Sequence, residues 1–180
     1  MLPDVVPVLE GDAVRLRPWE PRDAALVTAV TSDPLIPLIT SVPPMGGPQD
    51  VEAYLDRQHG CVAEGAGFSF AVADISADEA VGHIGLWIRD IASGRASTGY
   101  WIGEQFRRHG YAKAALSALT AWAVSLPEIE RLELYVEPWN EGSWRAAEAI
   151  GYKREGLLRA WQMVGDARKD MYMYSVLPDR

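Results

Sequence analysis

Arg107-Arg-His-Gly-Tyr-Ala112 stands between an apolar alternating segment and a long alanine-rich one. A chain that leaves a strand and opens a helix at a glycine presents backbone N–H groups with no partner inside the helix, at the end where the helix dipole is positive. Such a turn is an anion site. Gly110 lets the oxygens of an anion approach the backbone, and Arg107 and Arg108 bring positive charge into an otherwise acidic chain. Neither G-x-x-x-x-G-K-[ST] nor G-x-G-x-x-G occurs, so the common nucleotide loops do not compete for this reading. Other chemistry is poorly supported. His59-Gly-Cys61 is too short of ligands for a zinc site, and no metal site is expected. Without a G-x-S-x-G or a histidine linked to Ser143, an esterase triad is excluded.

The elements that must position this run follow from periodicity. Val14 to Arg17 alternates as a strand that Pro18 stops, and Glu20 to about Thr31 carries Leu26, Val27 and Val30 on one helical face. Residues 33 to 48 hold five prolines and two glycines and read as an ordered loop with one or two helical turns. Gln49 to about Glu64 resumes a helix. Gly67 to Ala73 and Val81 to Arg89 form an antiparallel hairpin. In Ala96 to Glu104, Gly99, Trp101 and Gly103 share one face, so glycines leave that face bare for close approach of a ligand. Tyr111 to Leu126 is a deeply buried helix ended by Pro127, and Leu132, Leu134 and Val136 mark the next strand. A short helix from Asn140, a good N-cap, ends before Gly151, and two strands joined at Gly165-Asp166 complete the chain.

Composition narrows the function. The chain of 180 residues, with 17 basic against 25 acidic residues and net charge −8, fits one domain over 1–180 and argues against a nucleic-acid or anionic-membrane surface. One cysteine allows no internal disulfide, and no segment has the length of a membrane span or the pattern of a signal peptide. A cytoplasmic protein is expected. Seven tryptophans are many, and Trp19, Trp87, Trp139 or Trp161 are candidates to line an acceptor pocket.

Segment 97 to 152 resembles the GNAT superfamily of acyl-coenzyme A N-acyltransferases, and its details resemble the RimJ/RimL-type protein N-acetyltransferases. Gly99-Tyr-Trp-Ile-Gly-Glu104 is similar to that branch's fourth strand, Arg107 to Ala112 to its R/Q-x-x-G-x-G/A loop, Asn140-Glu-Gly-Ser143 to its N-x-x-S element and Ala149-Ile-Gly-Tyr152 to its closing Gly-aromatic. Arg15-Leu-Arg-Pro-Trp19 and Arg168-Lys-Asp-Met-Tyr-Met-Tyr174 fit the same branch, so the resemblance spans nearly the whole chain.

The resemblance implies an α/β fold: a mixed, mostly antiparallel sheet of six or seven strands with about four helices, whose parallel central strands ending at Glu104 and Glu137 splay apart. It implies acetyl transfer from acetyl-CoA to a primary amine by direct attack. Trp101, Ile102 and Gly103 would offer backbone to the pantetheine, and Arg107, Arg108, His109, Gly110, Tyr111 and Ala112 would cradle the pyrophosphate. Asn140 would lie against the pantetheine or the acceptor. Glu104 is the expected base, directly or through a water. Ser143 is the expected hydrogen-bond donor to the leaving sulfur, because Ala147 stands where many members of the superfamily have a tyrosine. A lysine amine with a pKa of about 10.4 holds its proton far more firmly at pH 7 than an α-amine at about 7.7–8.0, which favours a protein or peptide N-terminus. A polyamine or aminoglycoside acceptor, and a non-catalytic acyl-coenzyme A sensor, stay open beside it, as does a homodimer through the C-terminal strands.

Overall fold

A computed structural model describes residues 1–179. Eight strands form one sheet: β1 (Leu9–Glu10), β2 (Val14–Arg17), β3 (Gly67–Asp74), β4 (Ala80–Trp87), β5 (Arg95–Ile102), β6 (Arg131–Val136), β7 (Lys153–Val164) and β8 (Ala167–Val176), in the order β1-β2-β3-β4-β5-β6-β8-β7. The five helices are α1 (Ala24–Val30), α2 (Ile36–Ile39), α3 (Pro48–Gly60), α4 (Tyr111–Ser125) and α5 (Glu141–Ala149). Only β5 and β6 run parallel, because α4 returns the chain between them as a crossover.

Helices cover both faces of the sheet, which is why β3 and β4 are buried almost end to end and alternate less clearly than a half-exposed strand. On one face α4 presents Ala115, Leu116, Leu119 and Ala123 to Leu16, Phe70, Ile84 and Leu132. Trp122 adds an edge-on contact to Phe68 at 5.1 Å between ring centroids. On the other face Leu26, Val27 and Val30 of α1 and Val51, Tyr54 and Leu55 of α3 pack with Trp19 and Trp101. Among the described residues no helix is long and apolar enough to cross a membrane.

Several expectations are refined. The sheet has eight strands rather than six or seven, because the two-residue β1 pairs Leu9 with Leu16 and Glu10 with Arg15, too short a stretch to carry a pattern. The fifth helix is α2, a single turn inside the proline-rich loop. The strand expected to reach Glu104 ends at Ile102; Gly103 donates a last bond to Val81 O at 2.9 Å and the chain coils into a 3-10 turn over Glu104–Phe106. The glycine face is bare only at Gly99. A Cβ there would meet nothing within 4 Å, whereas at Gly103 it would come 3.1 Å from Leu26. Trp101 between them is buried in the core.

The entry to α1 is held by a buried ion pair. Arg17 donates to both oxygens of Asp23, at 2.8 and 2.9 Å, and also reaches Asp78 Oδ1 at 3.2 Å. Both Arg17 and Asp23 are buried, and Arg17 keeps Asp78 as a second partner whereas Asp23 has no other ion pair among the described residues, so removing Arg17 strands the Asp23 charge away from water. Arg17→Met is expected to lower the unfolding free energy by about 3–5 kcal/mol. Urea denaturation measures it, and a loss below about 1 kcal/mol, the level of an exposed pair, would contradict the assigned burial cost.

Candidate active site

β5 and β6 pair over four residues only, Arg95 to Thr98 against Arg131 to Leu134. Past that point Tyr100 to Ile102 stay on β4 through Ile84 to Gly82, and Tyr135 and Val136 stay on β8 through Met173 and Tyr172. The sheet therefore opens between two parallel strands while each keeps its outer partner. A cavity lies on either side of the opening, and both are lined by Tyr100, Trp101, Trp139, Asn140 and Ser143.

The first cavity, ≈ 530 Å³, runs along the start of α4. Gly110 is the N-cap residue in the left-handed region at φ 83°, where a side chain would be strained, and Arg108 before it has φ 66°. No side chain caps α4, and its first backbone bond is Ala114 N to Gly110 O at 3.0 Å, so the N–H groups ahead of it point out without a carbonyl. Arg108 and Lys113 have no ion-pair partner among the described residues and bring mobile positive charge to the same rim. Arg107 is committed elsewhere: its Nη2 donates to Asp33 Oδ2 at 2.6 Å and its Nε to Ile102 O at 3.1 Å. Asp33 in turn accepts the N–H groups of Leu35 and Ile36 at 2.8 and 2.9 Å. Burial works to raise the Asp33 pKa, but these N–H groups and Arg107 outweigh it and hold the carboxyl below its ordinary range. Exposed His109 turns back on Phe106 O at 3.2 Å, and the Tyr111 hydroxyl donates to Asp74 at 2.7 Å.

Where the cavities meet, α5 brings Ser143 to Tyr100. Asn140 caps α5 by accepting the Ser143 N–H at 3.2 Å, which places Ser143 in the first turn facing the opening. The Tyr100 hydroxyl is 2.8 Å from Ser143 Oγ. Burial pushes the Tyr100 pKa up, opposed in part by Ser143, so the phenol keeps its proton. Tyr100 is a residue that sequence reasoning missed. Its signal was weak, an alternating position on the strand face toward α5.

The second cavity, ≈ 320 Å³, lies on the α3 side, walled by the rings of Tyr54, Trp87, Trp101 and Tyr135 and roofed by Leu35 to Ser41 of the proline-rich loop. Glu137, just past β6, is its one lining carboxylate. Glu104 is exposed and lines neither cavity, since the strand that was to deliver it stops two residues earlier. Of the tryptophans expected there, Trp87 and Trp139 line this cavity, Trp19 packs behind it, and Trp161 stacks on Tyr135 from outside at 5.6 Å. Thr98 Oγ1 and Trp101 Nε1, in the wall of the opening, have no hydrogen-bond partner among the described residues; the Tyr54 hydroxyl stands beside the Trp101 N–H without completing one. His59 binds Trp19 O at 2.8 Å instead of joining Cys61, and among the described residues no cluster is arranged to hold a metal ion.

A mixed sheet opened between parallel strands, with an anion-binding helix start on one side and a ring-lined cavity bearing one carboxylate on the other, is a scaffold for group transfer between two substrates. Residues 13–153 match the acetyltransferase (GNAT) domain, and the chain belongs to that family of acetyl-CoA-dependent N-acetyltransferases. It is 27 % identical over 169 residues to an uncharacterized N-acetyltransferase, p20, of Bacillus licheniformis, spanning 94 % of this chain and 95 % of that protein. Among solved structures it shares its fold with Mycobacterium smegmatis RimJ in complex with CoA-disulfide, at TM-score 0.84 and 22 % identity over 98 % of this chain and 90 % of that one. RimL, a ribosomal L7/L12 alpha-N-protein acetyltransferase in complex with coenzyme A, superposes at TM-score 0.81 and 17 % identity over 96 % and 99 % of the two chains.

The left-handed turn at Gly110 gives a direct test of the helix start. Gly110→Val forces a β-branched residue into that region, at a cost of order 1–3 kcal/mol. Its dissociation constant for coenzyme A is expected to rise about tenfold or more by titration calorimetry. An unaltered constant would take this loop out of the binding site.

Proposed function

We propose that this N-acetyltransferase transfers the acetyl group of acetyl-CoA to the α-amine of a peptide or protein N-terminus by direct attack across the open sheet. The observation that carries this reading is the Tyr100–Ser143 hydrogen bond at the junction of the two cavities, with Glu137 lining the second of them. The coenzyme A complexes of RimJ and RimL support the donor, and the α-N-protein activity in the name of RimL supports the acceptor. Acetyl-CoA supplies an activated acyl carbonyl and a thiolate leaving group.

The residues present fit that donor. Gly99 leaves the floor of the opening clear, the uncapped start of α4 offers N–H groups to phosphate oxygens, and Thr98 Oγ1 and Trp101 Nε1 are polar atoms in its wall without a partner. The backbone from Trp101 to Gly103 and the loop from Arg107 to Ala112 hold the donor, with Arg108 and Lys113 supplying charge. Arg107 serves by fixing the loop through Asp33 and Ile102 O. Asn140 holds Ser143 in place.

Proton traffic needs a group on each side. An α-amine with a pKa of about 7.7–8.0 keeps on the order of a tenth of its population neutral at pH 7, so a weak base suffices to take its proton, and Glu137 is the carboxylate lining the cavity. On the donor side the Tyr100–Ser143 hydrogen bond can run in either direction, and the arrangement proposed here has the phenol donating to Ser143 Oγ. That leaves the serine O–H free to turn into the opening and donate to the departing sulfur.

Steady-state kinetics on an N-terminal peptide test these roles. Glu137→Gln is expected to lower kcat about 100-fold, while Glu104→Gln stays within about twofold of wild type. The opposite order would return the base to Glu104. Ser143→Ala and Tyr100→Phe are each expected to cost about tenfold or more in kcat with coenzyme A affinity retained. The double variant should be no worse than Ser143→Ala, because the tyrosine acts through the serine. Full additivity would separate the two residues.

A further inference from the structure

The second cavity is unusually poor in charge. Among the described residues Glu137 is the one acidic side chain lining it; no lysine or arginine lines it, and burial holds the His83 pKa down at about 3, so that imidazole is neutral. Arg57 lies over the Tyr54 ring at 5.9 Å with its guanidinium donating to Ser41 O at 3.2 Å, and Lys169 sits toward the β7–β8 turn; neither lines the cavity. The polar groups at its base are already joined to one another. Ser69 Oγ donates to Gln58 at 2.8 Å, lies 3.1 Å from His83 Nε2 and accepts the Trp19 N–H at 3.2 Å. What the walls offer an occupant is ring surface, from Tyr54, Trp87 and Trp101 above all, over the floor left clear at Gly99, with the Thr98 hydroxyl and the Trp101 N–H as unpartnered but uncharged groups.

Building on the acetyl-transfer reading above, we infer that this cavity selects amines carried on an apolar, aromatic body with an uncharged group beside the amine, and refuses a carboxylate at that position. An N-terminal aromatic residue in amide linkage meets the condition; the free amino acid does not. Three physical terms point the same way. The incoming ammonium finds Glu137 and ring faces, both attractive to a cation. A flat side chain gains ring-to-ring contact beyond its burial. A carboxylate two bonds from the amine would be stripped of water with no cation to pair with and would face Glu137 as a like charge. The cavity's ≈ 320 Å³ holds a group of one residue's size. Its roof is closed by α2, whose Leu38 O accepts from Gly165 N of the β7–β8 turn at 3.4 Å.

Equilibrium binding to the coenzyme A-loaded protein, followed by titration calorimetry, tests this with phenylalaninamide, alaninamide, phenylalanine and spermidine as probes. Phenylalaninamide is expected to bind at least tenfold tighter than alaninamide and at least 100-fold tighter than phenylalanine. Equal affinity for phenylalanine and its amide, or spermidine binding as tightly as phenylalaninamide, would overturn the inference. So would alaninamide matching phenylalaninamide. Gln162→Arg, which places a cation on the cavity wall from the partly exposed β7, should raise the phenylalanine-to-phenylalaninamide affinity ratio at least fivefold. An unmoved ratio would overturn the charge argument. Thiol release from acetyl-CoA with the same amines is measured separately. If the binding order holds and no amine is acetylated, the selection stands and the acetyl-transfer reading fails.

Discussion

The short ladder between β5 and β6 is the constraint on which the rest of the molecule depends. Four paired residues are enough to fix the two strands as parallel neighbours, and stopping there turns their far ends into the walls of a passage through the sheet. Mid-sheet backbone groups that lose a neighbour must find polar partners elsewhere, so the opening is sustained by its borders. β4 holds one side and β8 the other, α4 and α5 line one cavity and α3 the second, and Leu35 and Ile39 of the proline-rich loop touch both. Two substrates can then arrive from opposite faces and meet at one point without crossing the hydrophobic core.

The two faces solve opposite electrostatic problems within one acidic chain. Near α4 the backbone itself supplies positive potential, and the cations beside it stand on an exposed rim where water screens them. On the α3 face the sheet buries a serine, a glutamine and a histidine, which is tolerable only because each has a hydrogen-bond partner among the others. This neutral, mutually bonded cluster carries no charge, so the Glu137 carboxyl at the far wall is the acidic group an occupant meets and no cation lines the cavity among the described residues. Specificity there comes as much from the missing cations as from the rings present.

Local chemistry was largely legible in the sequence and long-range register was not. Arg107 to Ala112 announces its turn because the glycine, the preceding strand and the following alanine-rich helix are all neighbours in the chain. Asn140 as the cap of α5 and Gly151 at its end follow from the same kind of short-range rule, and Gly151 has φ 100°. By contrast, the choice between Glu104 and Glu137 depends on where β5 stops. Gly103 bonding across to Val81 and turning away decides that, and no spacing encodes it. Tyr100 against Ser143 is a contact across 43 positions, and Asp33 against Arg107 one across 74, so neither pair has a signature that one sequence could display. The glycine alternation was read correctly as bare backbone at Gly99 and wrongly at Gly103, where Leu26 of another element fills the space.

The Asp33–Arg107 pair makes one carboxylate answerable to both substrates. Its first oxygen caps the turn that roofs the acceptor cavity, and its second anchors the loop that opens α4 toward the donor. Roof and helix start are thus pinned to a common pivot, although they belong to segments far apart in the chain. A shift of the proline-rich loop would therefore move the start of α4 with it, through that one residue.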